Sequence, residues 1–323
     1  MPGNGPIAER PRRTRSTPRC RRTGQPRCVV LGRGKWDVLQ GRSLGPNLRV
    51  RPPQSRAVFG DRTAPLAWLR VEDILIALAS QHAQLAELVD ACANDDWELP
   101  TRCEGWDIAS VLAHLALTDE AATASARGDF DHHADGLLGT GERQTVSVDD
   151  AAAAQVEAER AAGGDKIRQR WHDASETMQA AFRAGNPHTR VTWVAGKLSL
   201  QTLATTRLSE CWIHTDDIAD ALGIALPPTD RLRYIARLAW RTLPYAFQRA
   251  DMTMHGPVAM ELIGPQGEQW RFDPDSPALT TIRGSATEFC EVAARRLDPA
   301  NTSLVATGPD ASAVLRLVRT YAL

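Results

Sequence analysis

"RLSECWIHTDDIADALG", residues 207–223, decides how the chain is read. Glu210 and His214 stand four positions apart, so on a helix one lies above the other on a single face. Leu203, Thr206 and Arg207 share that face. Such a pair has two readings. The two residues are ligands of one metal ion, or they are an ordinary buried hydrogen-bonded pair. The helix that carries them begins near Ser199 and ends at Leu222, with Gly223 supplying the stop.

Helical spacing recurs upstream. Ile74, Leu75, Leu78, Leu85, Leu88 and Val89 mark a helix from Val71 to about Cys92. "ANDDWELPTRCEGW" is a polar loop. A second helix then runs from about Trp106 to Arg127, with Ile108, Val111, Leu112, Leu115 and Ala116 inward. Asp107 in its first turn suits the positive end of the helix dipole. "GDFDHHADGLLGTGERQTVS" reads as a Gly- and Asp-rich connection. Ser147 is the candidate cap of a third helix. It breaks at Gly163-Gly164, is capped again by Asp165 and ends at Gly185. "NPHTRVTWVAGKLS" is extended or irregular. Four helices with polar connections make a four-helix bundle over residues 66–226, closed by Pro227-Pro228.

Residues 227–323 differ in character and read as a smaller α+β domain. Asp230 to about Arg249 is a helix. Val258–Ile263 and Glu268–Phe272 are strands around Pro265-Gln266-Gly267. "GSATEFCEVAARRL" is a helix, "TSLVATG" a strand, and "DASAVLRLVRTYAL" a closing helix. The expected class is therefore α+β.

Composition bounds the function. The 323 residues are 43% hydrophobic and 24% charged, as in a globular protein. No apolar run approaches the roughly 20 residues that span a bilayer. The N-terminus has no apolar core of a secretory signal, so the expected compartment is the cytoplasm. Cys20, Cys28, Cys92, Cys103, Cys211 and Cys290 form no C-x2-C pair, which argues against a cysteine zinc cluster and, in that compartment, against structural disulfides. The net charge of −1 hides an asymmetry. Residues 1–65 hold 14 arginines, Lys35 and only three acids, with nine of the 20 prolines. This Arg- and Pro-rich stretch reads as a disordered tail. It is either a basic arm for nucleic acid or the product of a start codon upstream of the true one. The lack of interleaved aromatics at its beginning favours the second reading.

The metal reading gains a third residue. His114 sits in the apolar stripe of the second helix, three positions after Val111. Facing helices in a bundle lie roughly 8–10 Å apart, so His114, Glu210 and His214 can meet at one ion. Two imidazoles and a carboxylate suit Zn2+ with a position open for water or substrate, and also suit Fe2+ or Ni2+. Asp217, one turn beyond His214, is placed to receive its ring N–H. Arg207, one turn before Glu210, either pairs with that carboxylate or faces a substrate acid. Arg295-Arg296 offers a positive charge to a carboxylate or thiol cofactor, or simply lies on a solvated face. Cys211 points about 100° round the helix from Glu210 and is read as core. His132 and His133 read as solvated, and His172, His188 and His255 have no ligand-spaced partner.

"PTRCEGWDIASVLAHLALTDE" and "RLSECWIHTDDIADALG" together resemble the mycothiol-dependent maleylpyruvate isomerase family, within the DinB-like superfamily of metal-binding four-helix bundles. The shared pattern is Gly105-Trp106-Asp107, His114, Glu210, His214 and Asp217. "VTWVAGKLSLQTLATTRLSECW", "GSATEFCEVAARR" and "LVATGPDASAVLRL" resemble a branch known mainly as metal-binding. The resemblance covers about residues 71–323. It implies a DinB-like bundle with a divalent metal held by His, Glu and His, and a small thiol, mycothiol, as cofactor. The implied function is an isomerase or thiol transferase acting on a small electrophilic metabolite. Two rivals remain open: a metal-dependent hydrolase or cyclase without thiol, and a non-enzymatic metal-stabilised binding module. No membrane or nucleic-acid partner is implied, and oligomeric state is unread.

Overall fold

Four long helices form the N-terminal part of the computed structural model, which describes residues 71–138, 154, 156–160, 162–194 and 196–320. The tail expected at residues 1–65 lies outside the described residues, as does Ser147. The helices are α1 (Val71–Asp90), α2 (Ile108–Arg127), the short α3 (Phe130–Leu138), α4 (Gly164–Ala184) and α5 (Leu200–Leu222). Residues 156–160 are also helical, ahead of the glycine break.

Local chemistry sets where each helix starts. Asp107 is the cap of α2 rather than part of its first turn. Its Oδ1 accepts hydrogen bonds from the Ser110 backbone N–H at 2.8 Å and hydroxyl at 2.6 Å. Ser199 caps α5 by accepting from the Thr202 backbone N–H at 3.1 Å, and Gly223 ends it at φ 71°. At the Gly163-Gly164 break, the cap of α4 is Gly163 (φ 85°), not Asp165, which pairs with Arg168 at 3.1 Å. A Cβ at Gly164 would lie 2.3 Å from the Trp97 ring, so only glycine admits that packing.

The bundle joins α2 to α4, α1 to α5, and α2 to α5. Between α4 and α5, "RVTW" and "GKLS" form an antiparallel hairpin, β1 (Arg190–Trp193) with β2 (Gly196–Ser199). The stretch 130–138, expected as connection, is helical as α3.

The C-terminal part is a mixed four-stranded sheet with helices, which makes the whole α+β. The expected helix over Asp230–Arg249 is two: α6 (Leu232–Arg241) and α7 (Leu243–Arg249). Pro244 has no N–H to continue the ladder, and the Thr242 hydroxyl donates to Leu238 O and Ala239 O, each at 3.0 Å. The sheet order is β4-β3-β5-β6, from β3 (Val258–Ile263), β4 (Gln269–Phe272), β5 (Thr280–Ser285) and β6 (Val305–Thr307). β5 pairs parallel to β3 and was not expected. α8 (Ala286–Ala293) and α9 (Ala311–Leu317) complete it, and the closing helix stops six residues before the chain end.

One apolar cluster runs without a break from the bundle (Leu78, Met178, Phe182, Leu203, Leu208) into the sheet and its helices (Ile235, Met260, Trp270, Phe289, Val314). A second fills the other end of the bundle around Leu85, Leu112, Trp171 and Ile218. His114, Glu210, His214 and Asp217 lie on these packed helices.

Candidate metal centre

Packing of α2 on α5 brings His114 over the Glu210–His214 face. Both imidazoles are 5% exposed, and Glu210 keeps a 15% opening to solvent. Glu210 Oε2 stands 3.8 Å from His114 Nε2 and 3.6 Å from His214 Nε2. One donor atom from each of the three lies within 4.8 Å of the others. The two rings meet edge to face, centroids 5.2 Å apart and planes at 75°. Trp106 covers His114 from the other side at 5.2 Å.

These distances bear on the two readings of the pair. A hydrogen bond needs roughly 2.7–3.2 Å between heavy atoms. Two bonds of about 2.0–2.2 Å at a tetrahedral angle hold their donors roughly 3.3–3.6 Å apart. The Glu210 contacts are too long for the first and close to the second.

Behind His214 lies a denser knot. His214 Nδ1 is 3.0 Å from Asp217 Oδ2. Asp217, fully buried, also accepts from Arg296 Nε at 2.7 Å and Arg296 Nη2 at 2.6 Å, a two-pronged ion pair. Arg102 Nε stands 3.2 Å from the same carboxylate, and its Nη2 bonds Asp216. Cys103, 1% exposed, donates its thiol to Asp217 Oδ2 at 3.4 Å and lies 3.9 Å from His214 Nδ1. Arg296 reaches the knot because the chain leaves α8 through Arg295 at φ 60°, a left-handed conformation a non-glycine residue adopts at a cost of roughly 1–3 kcal/mol.

The electrostatics follow from burial and partners. Burial lowers the pKa of His114, so it is neutral. Burial alone would raise Glu210, but the two imidazoles hold its carboxyl well below the usual range. His214 is pushed up to about 9: burial opposes this, and Asp217 followed by Glu210 outweighs it. Asp217 is held far below the carboxylate range by His214 and Arg296, against the burial that would raise it.

Arg207 does not form the ion pair with Glu210 that its helix position allows. It is 1% exposed and pairs with Asp119 rather than with Glu210, its Nε 3.0 Å from Asp119 Oδ1 and its Nη2 2.8 Å from Thr118 Oγ1. His82 stands on the far side of Asp119 at 3.9 Å and takes a hydrogen bond from Gln179 at 2.9 Å. Cys211 is buried in the core, as its helix position indicated. His172 and His255 each pair with one carboxylate, Asp90 at 3.0 Å and Asp310 at 2.7 Å, and neither belongs to a group of three possible metal ligands among the described residues. In the sequence Cys103 is only a loop residue at the entry to the second helix, with a role near the mouth of the site conceivable but unsupported, and Arg102 carries no signal. They touch residues more than a hundred positions away, a relation no spacing rule reads.

Known proteins resemble this chain. The family model for the mycothiol maleylpyruvate isomerase N-terminal domain matches residues 78–219, which include His114, Glu210, His214 and Asp217. Two proteins of Mycobacterium tuberculosis, the uncharacterized proteins MT0041 and Rv0036c, are each 32% identical over 246 residues, 76% of this chain and 93% of theirs. The crystal structure of the mycothiol-dependent maleylpyruvate isomerase superposes with a TM-score of 0.51 at 16% identity, over 75% of this chain and 96% of that one. A histidine-to-alanine mutant of that enzyme superposes at 0.50, also at 16% identity, over 70% and 90% of the two chains. The bundle, the small sheet behind it and these matches together place this chain in the mycothiol-dependent maleylpyruvate isomerase family.

Proposed function

We propose that this protein is a divalent-metal-dependent isomerase or transferase that uses a small thiol, mycothiol, on a small electrophilic metabolite. The observation that carries this reading is the spacing of His114, Glu210 and His214, wide for hydrogen bonds and suited to three ligands of one cation. The family and the matched crystal structures, of a mycothiol-dependent maleylpyruvate isomerase, suggest the thiol and the isomerisation.

The side chains fit that role chemically. Glu210 is anionic and His114 neutral, so both are ready to donate a lone pair. Asp217 keeps the His214 proton on Nδ1, which leaves Nε2 facing Glu210 once its own proton is lost. Arg296, committed to Asp217 through Nε and Nη2, acts as a positioning residue that ties the C-terminal sheet to the ligand helix. His114, Glu210 and His214 would hold such a cation, whose charge would favour the thiolate form of a small thiol, the nucleophile that thiol-dependent isomerisation requires.

Elemental analysis of the purified protein tests the metal, and thermal shift with mycothiol tests the thiol. The expectation is one divalent ion per chain, lost in His114→Ala and His214→Ala. Mycothiol at a hundred times its Kd should stabilise the native state by about 2.7 kcal/mol. A folded wild type that neither contains nor takes up zinc, iron or nickel refutes the proposal. A metal-loaded protein indifferent to mycothiol points instead to a metal-dependent hydrolase or cyclase.

A further inference from the structure

A cavity of about 440 Å3 opens in the C-terminal part between α6 and the β3–β4 edge, within the size range of small-molecule sites. One wall is aromatic: Trp240 and Phe272 lie with centroids 5.9 Å apart, and the Trp240 indole N–H donates to Val258 O at 2.7 Å, which fixes the ring. Two guanidinium groups, Arg237 and Arg241, stand one helical turn apart on the same face of α6 and line the same space.

The charge balance of this cavity is uneven. Arg271, also on the lining, is answered by Glu261 at 3.1 Å and Asp273 at 3.8 Å. Asp275 is the other acid of the lining. Neither Arg237 nor Arg241 has a carboxylate within 4 Å among the described residues, although Arg237 is half-buried. Like charges at four-residue spacing repel, and the pKa of Arg237 is lowered, by burial first and by Arg241 second. Arg237 is half-buried and Arg241 exposed, so an anion entering the cavity would meet one partly desolvated and one solvent-accessible guanidinium, neither with a carboxylate partner among the described residues.

We propose that this cavity is a binding site for a small organic anion with a flat apolar body, such as an aromatic or unsaturated carboxylate. The carboxylate would be held between Arg237 and Arg241 while the body lies against Trp240 and Phe272. The site is separate from the metal centre: its residues come from α6, the start of α7, the β3–β4 edge and the loops beside them, and none of the residues around His114 or Asp217 lines it.

The test is calorimetric titration of the full chain with benzoate as probe, with benzyl alcohol and inorganic phosphate as controls. Benzoate should bind the wild type, and equally the His114→Ala variant, whose metal ligand set is broken. Arg237→Ala and Arg241→Ala should each weaken benzoate about ten-fold or more, the worth of a charge-assisted hydrogen bond. Trp240→Leu should also weaken it, while the far-ultraviolet circular dichroism of every variant stays that of the wild type. The arginine conservatively replaced, Arg237→Lys, should keep part of the affinity. No benzoate binding by the wild type overturns the proposal. So does binding that survives both alanine changes, binding lost with His114→Ala, equal affinity for benzyl alcohol, or phosphate binding tighter than benzoate.

Discussion

Arg207 and Asp119 form an ion pair with each partner 1% exposed, and its removal one side at a time should show a marked asymmetry. At the observed 3.0 Å, attraction with an effective dielectric near 20 is about 5–6 kcal/mol before desolvation is subtracted. Breaking a buried pair typically costs about 3–5 kcal/mol, because a charge is left without its partner. The two orphans are not equivalent. Asp119 is already raised to about 6, by burial first and against the pull of Arg207, so without Arg207 it takes up a proton and escapes part of the penalty. Arg207 cannot shed its proton. Arg207→Met should therefore cost about 3 kcal/mol and Asp119→Leu about 4–5, while Arg207→Met/Asp119→Leu together should cost no more than about 2. At roughly 2–4 °C per kcal/mol for a protein of this size, the single changes lower Tm by about 6–20 °C. Urea and thermal unfolding at pH 7.5 with saturating zinc read all four proteins. If the two single effects simply add in the double variant, the pair is not the coupled buried unit described here.

Three further outcomes are expected. Asp217→Asn keeps the shape but leaves Arg296 and Arg102 facing a neutral amide and His214 without its carboxylate, so zinc affinity should fall about 10–100-fold in a chelator competition; an unchanged affinity would mean that His214 needs no such support. Gly164→Ala drives a methyl into the Trp97 ring and should destabilise by about 1–3 kcal/mol in denaturant titration, whereas an ordinary helical position would gain from alanine. His82 is held neutral by burial first and Arg207 second, its pKa lowered to about 3. The unfolded chain binds that proton near pH 6.5, so His82 costs stability as pH falls from 6.5 towards 3; Asp119, raised to about 6, acts in the opposite sense between 6 and 3.8. His82→Gln should thus gain on the wild type by about 2–3 kcal/mol between pH 7 and pH 4.5, and a constant difference across that range would contradict the neutral buried imidazole.

Much of the fold was legible because helices are local objects. The α5 boundaries follow from Ser199 and Gly223, and apolar periodicity marks α1 and α2. Where periodicity is thin, reading failed. β5 carries a single large apolar residue, Ile282, amid Thr281, Arg283 and Gly284, and its alternation of buried Thr280 and Ile282 with outward neighbours is too short to stand out. It pairs in parallel with β3 only after the chain has passed through β4, so the pairing that makes it a strand is remote in sequence. α3 failed for the opposite reason: His132, His133 and Gly136 look like a connection by composition, and packing on α2 makes them helical.

The sequence by itself determined that Glu210 and His214 share a face, since i and i+4 are neighbours on any helix, and that His114 lies on an inward stripe. Only the tertiary structure decided which charges meet. Arg207 could reach Glu210 along its own helix, yet Asp119 on α2 takes it. Asp217 gathers Arg296, Arg102 and Cys103 from segments remote from it in the chain. Long side chains choose partners by what the facing element presents and by how fully water is removed, and neither quantity exists until the helices have packed.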